Sequence, residues 1–551
     1  MDVTGTPFSM QTILKDDVSI FTKASTAIHQ FLPFLSSTAP TRNQIPEYRK
    51  HFTGKELALE RRTMKIELVF IPMPGVGHMV SIVEIAKLLL NRDERLSITL
   101  IIMKPQFNDS SIDFYIQSLN SSTVTDRISF IYLPVLDLSS SENKTERRSL
   151  FSYIEAHKPS VKEAVSNLAL SGSHRLAGFV IDMFCTSMID VADEFGVPSY
   201  LFYTSSASYL ALELHLQSLY HDHGVDVTEF RDSDAEFLIP GFVNPLPAKA
   251  VLPGVMLDKF YLNLVMNNVR RYKRTKGIIV NSFMELESNV LNLFFDSKFP
   301  SLYPVGPILN LKGNSRDSKK TETEKFDDII AWLDDQPPTS VVFLCFGSMG
   351  SFSENQVKEI ADALEKSGHR FLWSLRQHPG KSKMSVPGEY ENPAEVLPEG
   401  FLNRTAKMGK IIGWAPQVDV LGHPSIGGFV SHCGWNSTLE SLWFGVPMAA
   451  WPLYAEQQFN AFMVVVELGV ATEIKMDYRR DFLVGEEEEI VSAAVIEKGI
   501  RCLMEQDNEM RKKVMLLSET SRKALMDGGS SHAALAQFIQ DVKDNMPSRD
   551  M

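Results

Sequence analysis

Cysteine is scarce and scattered: Cys185, Cys345, Cys433 and Cys502 are the only four in 551 residues. Disulfide frameworks and zinc knuckles need closely spaced thiols, so neither is expected, and a reducing compartment fits. No apolar run reaches the roughly 18 residues that cross a bilayer, and the N-terminus lacks the basic region and compact apolar segment of a secretory leader. A cytoplasmic protein with no transmembrane segment is expected. The triplets Asn108-Asp109-Ser110 and Asn143-Lys144-Thr145 therefore carry no weight as glycosylation sites. Positive charge is also in deficit. The formal net charge of −13 argues against nucleic acid as a partner, because phosphate-backbone binding needs clustered Lys and Arg.

What remains is an ordinary globular composition, 44% hydrophobic and 22% charged, in a chain too long for one core. Two domains and a monomer are expected. Residues 1–63 carry mixed charges and Ser/Thr clusters with no sustained period, and they end sharply at Met64, just before an apolar strand. They read as a poorly ordered or gene-model extension, translation starting at Met64. A targeting segment is the rival reading, weakened by the Asp and Glu residues present.

From Ile66 onward strands alternate with helices. Apolar runs at 66–72, 96–103, 128–133, 176–181 and 199–203 predict strands, and Met79 to Leu90 has helical spacing. The pattern resumes after 312–325, a Ser-, Thr- and Lys-rich stretch that reads as a linker. Strands are predicted at 340–346, 370–375, 409–412, 428–431 and 448–451, with helices at 354–366 and 437–444. Glu486 to Glu489 should open a further helix, followed by helices at 507–527 and 531–541. The fold class is α/β: two doubly wound, Rossmann-like domains, 64–311 and 326–527, facing across a cleft, with 528–551 as a C-terminal helix and tail. Ligands should bind at the carboxyl ends of the strands.

The first strand-turn-helix reads Pro74-Gly75-Val76-Gly77-His78-Met79-Val80. Val80 stands where a dinucleotide fingerprint needs its third glycine. Met103-Lys104-Pro105 replaces the ribose-binding acid after the second strand, which argues against a nicotinamide or flavin site. His78 sits where such a fold faces its ligand and suits a proton acceptor, although a structural role stays open on position alone. Asp182 ends the strand through Ile181 and could orient the His78 ring, or it could cap the turn at Thr186.

The densest stretch begins Trp414-Ala415-Pro416-Gln417 and continues Gly427-Gly428-Phe429-Val430-Ser431-His432-Cys433-Gly434-Trp435-Asn436-Ser437-Thr438-Leu439-Glu440, ending Tyr454-Ala455-Glu456-Gln457. An aromatic face such as Trp414 can stack on a flat base while the Ala415 backbone meets its edge. Glu440 can accept both hydroxyls of a ribose. The turn through Gly434 offers backbone amides at a helix N-terminus for a diphosphate, with His432 and Ser437 as further donors. This stretch resembles the signature box of plant family 1 glycosyltransferases, and the similarity extends over roughly 64–541. The resemblance implies a UDP-sugar site in the second domain of a GT-B fold. It implies phosphate contacts at Ser348, His432, Asn436 and Ser437, a backbone contact near the sugar from Trp435, and donor contacts at Gln417 and Tyr454. It also implies that Glu456 and Gln457 hold the hexose. Glutamine at the last position marks glucose rather than galactose, and the family's commoner aspartate is replaced by Glu456. His78 and Asp182 match the family's catalytic pair.

The implied reaction is an inverting transfer of glucose from UDP-glucose to a hydroxyl or carboxyl of a small plant metabolite such as a flavonoid, phenol, lignan or terpenoid. It needs neither cofactor nor metal, since no Asp-x-Asp pair falls at the cleft edge. Another UDP-hexose, a non-catalytic UDP-sugar sensor and a nicotinamide-dependent reductase are the alternatives. The acceptor pocket is expected from the first domain, around Phe184, Phe202, Tyr203, Ser205 and 209–219.

Overall fold

Strands that are apolar on both faces can be sheltered only inside a parallel sheet covered by helices. The chain, seen in a computed structural model that describes residues 65–104, 111–120, 126–136, 150–170, 174–230, 233–248, 259–295, 299–311, 320–378, 387–478 and 489–547, builds two such sheets. In the first half, β1 (Ile66–Ile71) is buried at every position. It leads into helix α1 (Val76–Arg92), then β2 (Leu96–Ile102), β3 (Ile128–Tyr132), β4 (Arg175–Asp182) and β5 (Ser199–Tyr203). Helix α2 (Ala207–His221), β6 (Gly277–Val280) and β7 (Ser301–Pro304) complete it. The strand order is β3-β2-β1-β4-β5-β6-β7, with every pair parallel.

The second half runs α3 (Lys320–Asp334), β8 (Val341–Cys345), α4 (Glu354–Ser367), β9 (Arg370–Ser374), β10 (Gly409–Ile412), β11 (Ile426–Ser431), α5 (Trp435–Phe444), β12 (Met448–Ala450), α6 (Gln457–Phe462) and β13 (Ala471–Glu473). Its order is β10-β9-β8-β11-β12-β13. Helices α7 (Ala493–Met504), α8 (Glu509–Leu525) and α9 (Ser530–Asp544) follow, and Arg62–Met551 forms one compact unit.

Each sheet has one place where the chain, having wound outward, returns to the other side of its first strand: between β1 and β4, and between β8 and β11. At such a reversal the connections leave on opposite faces and a crevice opens at the carboxyl ends. The residues just beyond these four strands are therefore the ones the topology presents to a ligand.

Helix α9 crosses back to the first sheet. Leu535, Phe538, Ile539 and Val542 are buried in its core, with Phe538 edge-on to Tyr200 at 5.1 Å and to Tyr303 at 5.3 Å. At roughly 1.5–3 kcal/mol for each buried apolar side chain, this docking is a major term holding the C-terminal end in place. The Lys543 ammonium adds an ion pair with Asp93 at 2.7 Å. Phe459 of α6 makes a second tie, packing on Tyr209 at 5.3 Å.

Several sequence expectations need correction. Strands β6, β7 and β13, three or four residues long, were not expected. The expected linker is helical from Lys320, because a charged first turn precedes the buried Ile329 and Leu333. Residues 312–319 and 1–63 lie outside the described residues. Helix α7 starts at Ala493 after Ser492, so Glu489 precedes it without helical backbone; 486–488 lie outside the described residues. Neither Gly75 nor Gly77 makes a glycine-only turn: Gly75 is extended at φ −162°, and Gly77 is helical with open space beside it.

Candidate active site

His78 is the third residue of α1, immediately past β1, and Asp182 is the last residue of β4, so the first reversal brings together groups 104 positions apart. His78 Nδ1 lies 2.7 Å from Asp182 Oδ2. An ionised carboxylate only accepts, so Nδ1 carries the proton and Nε2 keeps its lone pair. Asp182 is fully buried, and its other oxygen accepts the Phe184 N–H at 3.0 Å, which fixes the carboxylate plane. It does not cap the short helix at Thr186, whose N-cap Cys185 makes no side-chain bond. Burial opposes charge on the His78 ring, but the charge and hydrogen bond of Asp182, helped by Glu456, leave its pKa raised above the usual value. This arrangement is a base that can take a proton through Nε2 and hold it.

The influence of Glu456 on His78 shows that residues of the second domain reach the pair. Glu456 precedes α6, and burial raises its own pKa against the opposing pull of its backbone and of His78. Beside it, Gln457 Oε1 accepts the N–H groups of Leu453 at 2.9 Å and Tyr454 at 3.0 Å. The amide oxygen is thereby committed to the backbone, and the NH₂ is the group that can donate. Carboxylate and amide together offer acceptors and donors side by side, which suits adjacent hydroxyls of a sugar. Tyr454 is half-buried, with its phenol pushed up to about 12, mainly by desolvation.

The second reversal places Ser348 after β8 and the turn His432 to Asn436 after β11. His432 is buried, and that burial lowers its pKa to about 4, so the ring is neutral. Its Nε2 faces two glycines. A Cβ at Gly347 or at Gly434 would come within 2.6 Å of it, so both turns close on the ring only because they lack side chains. Gly434 caps α5 without a side-chain hydrogen bond, leaving first-turn N–H groups to an anion. Cys433 (φ 61°) and Ala455 (φ 55°) adopt left-handed backbone that L residues avoid, and both flank this cluster. Such strain, of order 1–2 kcal/mol per residue, persists where surrounding contacts fix a geometry.

The residue expected to stack on the base stands at the rim. Trp414 is 56% exposed, and the Arg376 guanidinium lies 5.1 Å from its ring centroid. Glu389 accepts the Trp414 N–H at 2.9 Å, and Ala415 is buried behind it. Gln417 donates from one amide nitrogen to Ser437 Oγ at 2.8 Å and Glu440 Oε2 at 2.6 Å. Burial raises the Glu440 carboxyl to about 7 despite that bond. The Trp435 side chain is buried and donates across the domains to the Asn281 carbonyl at 2.7 Å, which leaves its backbone for the expected contact near the sugar.

Of the expected acceptor residues, Phe184 lies edge-on to His78 at 5.5 Å and 6.0 Å from Phe151. Phe202 and Tyr203 are core instead: Phe202 points to the α1 and α9 side of the sheet, and Tyr203 donates to the buried Glu213 at 2.8 Å. Adjacent strand residues face opposite sides, so both cannot face one pocket. Sequence reading missed Thr204, 3.3 Å from His78 Nδ1, and Arg376, Glu389, Ser81 and Asn281. Only Ser81, one helical turn beyond His78, carried a signal.

Residues 256–498 match the family described as UDP-glucoronosyl and UDP-glucosyl transferase. A UDP-glucose flavonoid 3-O-glucosyltransferase of Fragaria ananassa is 54% identical over 482 residues, covering 87% of this chain and 98% of its own. Among solved structures, a UGT transferase of Siraitia grosvenorii in complex with UDP superposes with a TM-score of 0.77 at 50% identity, covering 87% of this chain and all of its own. A Medicago truncatula UGT complexed with UDP-glucose does so with a TM-score of 0.75 at 41% identity, covering 88% and 100%.

Proposed function

Because the chain belongs to the UDP-glycosyltransferase family of plants, we propose that it transfers glucose from UDP-glucose to a hydroxyl of a flat phenolic metabolite, a flavonoid foremost. The observation that carries the reading is the His78–Asp182 pair at 2.7 Å, electrostatically in reach of Glu456.

In this mechanism the acceptor oxygen attacks the anomeric carbon from the face opposite the diphosphate, as His78 Nε2 takes the hydroxyl proton. The anomeric carbon–oxygen bond breaks and UDP leaves, its charge received by the amides of the Gly434 turn and the N-terminus of α5. One displacement inverts configuration. Asp182 stabilises the imidazolium until solvent removes the proton. Trp414, Gln417 and Glu440 would hold uridine; Ser348, His432, Asn436 and Ser437 the diphosphate; Glu456 and Gln457 the hexose. Phe184 and Phe151 give the acceptor an apolar wall, and a named relative that glucosylates flavonoids favours that class.

The test is incubation of the purified protein with UDP-glucose and a mixed panel of flavonols, simple phenols and terpenols, with products identified by mass spectrometry and anomeric NMR. A β-linked monoglucoside with stoichiometric UDP supports the reading. Binding of UDP-glucose with no product from any acceptor would replace it with that of a sugar-nucleotide sensor.

A further inference from the structure

The residue expected to touch the diphosphate, Asn436, is held by the first domain. Asn436 Nδ2 donates to Ser81 Oγ at 3.1 Å, and its Oδ1 lies 3.5 Å from Asn281 Nδ2. Asn281, fully buried just past β6, has no freedom to turn over: its Oδ1 accepts the Ile308 N–H at 2.8 Å, so its NH₂ must face Asn436. That choice fixes the Asn436 amide with oxygen toward Asn281 and nitrogen toward Ser81. Ser81 lies nearer the Gly77 carbonyl, at 3.2 Å, than Asn436 Oδ1, at 3.5 Å. Its single proton goes to Gly77, and its lone pair receives the Asn436 N–H. The chain of bonds thus has one direction throughout, from the Ile308 amide through Asn281, Asn436 and Ser81 to the carbonyl preceding His78.

We propose that Ser81 and Asn281 are positioning residues for the transfer. Through Asn436 they set the diphosphate-binding turn against the helix that carries the base. One Asn436 N–H is spent on Ser81 and the second is left to a phosphate oxygen, so donor binding and base placement share one amide. The Trp435 indole bond to the Asn281 carbonyl at 2.7 Å clamps the same junction from its apolar side. This inference rests on the glycosyltransferase reading above and adds a cross-domain coupling to it.

The experiment is a double-mutant cycle on the full chain with Ser81→Ala, Asn436→Ala and the double variant. KM for UDP-glucose, KM for the acceptor, kcat and thermal midpoint are measured for each, together with UDP affinity by calorimetry. Ser81→Ala should raise KM for UDP-glucose about five-fold, the worth of one net hydrogen bond, and leave the acceptor KM unchanged. The double variant should be no worse than Asn436→Ala alone, and Ser81→Thr, which keeps the hydroxyl, should recover the loss. Effects that multiply, a tightened donor, or a lowered melting point with unchanged donor KM would overturn the proposal. Should the wild type transfer no glucose, the functional reading falls, and UDP affinity across the same cycle still decides the relay.

Discussion

Replacing Asp182 by Asn changes one atom and should invert the chemistry of His78. The buried carboxylate has its two oxygens committed, one to the Phe184 N–H at 3.0 Å and one to His78 Nδ1 at 2.7 Å. In the variant the amide oxygen keeps the backbone donor, so the NH₂ group turns toward the imidazole. A donor now faces Nδ1, the ring must present its lone pair there, and the proton moves to Nε2. The atom that should receive the acceptor's proton is then already protonated. A positioned general base contributes about 10² to 10⁴ in rate, equivalent to roughly 3–5 kcal/mol of barrier. A loss of kcat in that range is expected, with UDP affinity by calorimetry unchanged. The acid limb of kcat/KM supplies a second readout. Asp182 raises the His78 pKa against burial, so activity in the wild type should decline as pH falls through a value above 6.5, where the ring becomes charged and ceases to be a base. Without the carboxylate, burial dominates and the limb should move to lower pH. Product formation is followed by chromatography between pH 5 and 9. A loss below ten-fold with the limb unmoved would refute the assigned roles.

Trp414→Ala should raise KM for UDP-glucose by about ten-fold or more, since stacking on a base is worth roughly 1–3 kcal/mol, while kcat at saturation changes little; steady-state kinetics decides. Glu440, held near 7 by burial, should ionise when ribose hydroxyls donate to it. UDP binding should therefore release a proton near pH 6.5 and weaken as pH falls below about 7, and calorimetry in buffers of different ionisation enthalpy should detect that release in wild type and not in Glu440→Gln. Glu213 is buried with its carboxyl raised from 4.5 to about 8, by desolvation first and then by Glu456, against the bond from Tyr203. A raised carboxyl pKa favours the fold below 4.5 and loses that contribution as pH rises through about 8, by up to roughly 5 kcal/mol. Glu213→Gln should flatten the decline in melting temperature between pH 5 and 8, and an unchanged slope would remove Glu213 as its source.

The strands were legible because each is a near-continuous apolar run, and the long helices because their buried faces repeat. The three- and four-residue strands divide: Gly409–Ile412 and Met448–Ala450 were legible, whereas Gly277–Val280 and Ala471–Glu473 were not. The start of α3 was hidden because its first turn is written in Lys, Thr and Glu, and such a sequence alone cannot separate a helical turn from a linker. Phe202 and Tyr203 show the limit of placing residues by their position at a strand end. Both stand beside the cleft in sequence, yet strand alternation, the core cluster that Phe202 joins and the Glu213 partner of Tyr203 commit them to core.

The two halves of the site differ in how sequence encodes them, and the difference follows from chemistry. A diphosphate is bound by consecutive amides and a helix dipole, so its recognition is written in adjacent residues, as in the proposed donor site from His432 to Ser437 with Glu440 one turn on. A proton relay needs only two side chains at bonding distance, and the reversal between β1 and β4 brings His78 to Asp182 across 104 residues. Sequence proximity therefore reports the donor site and is silent about partners joined through the sheet. Ser81 and Asn281 belong to that silent class. Their polar atoms acquire a common purpose only when α1, the end of β6 and the N-terminus of α5 meet at Asn436.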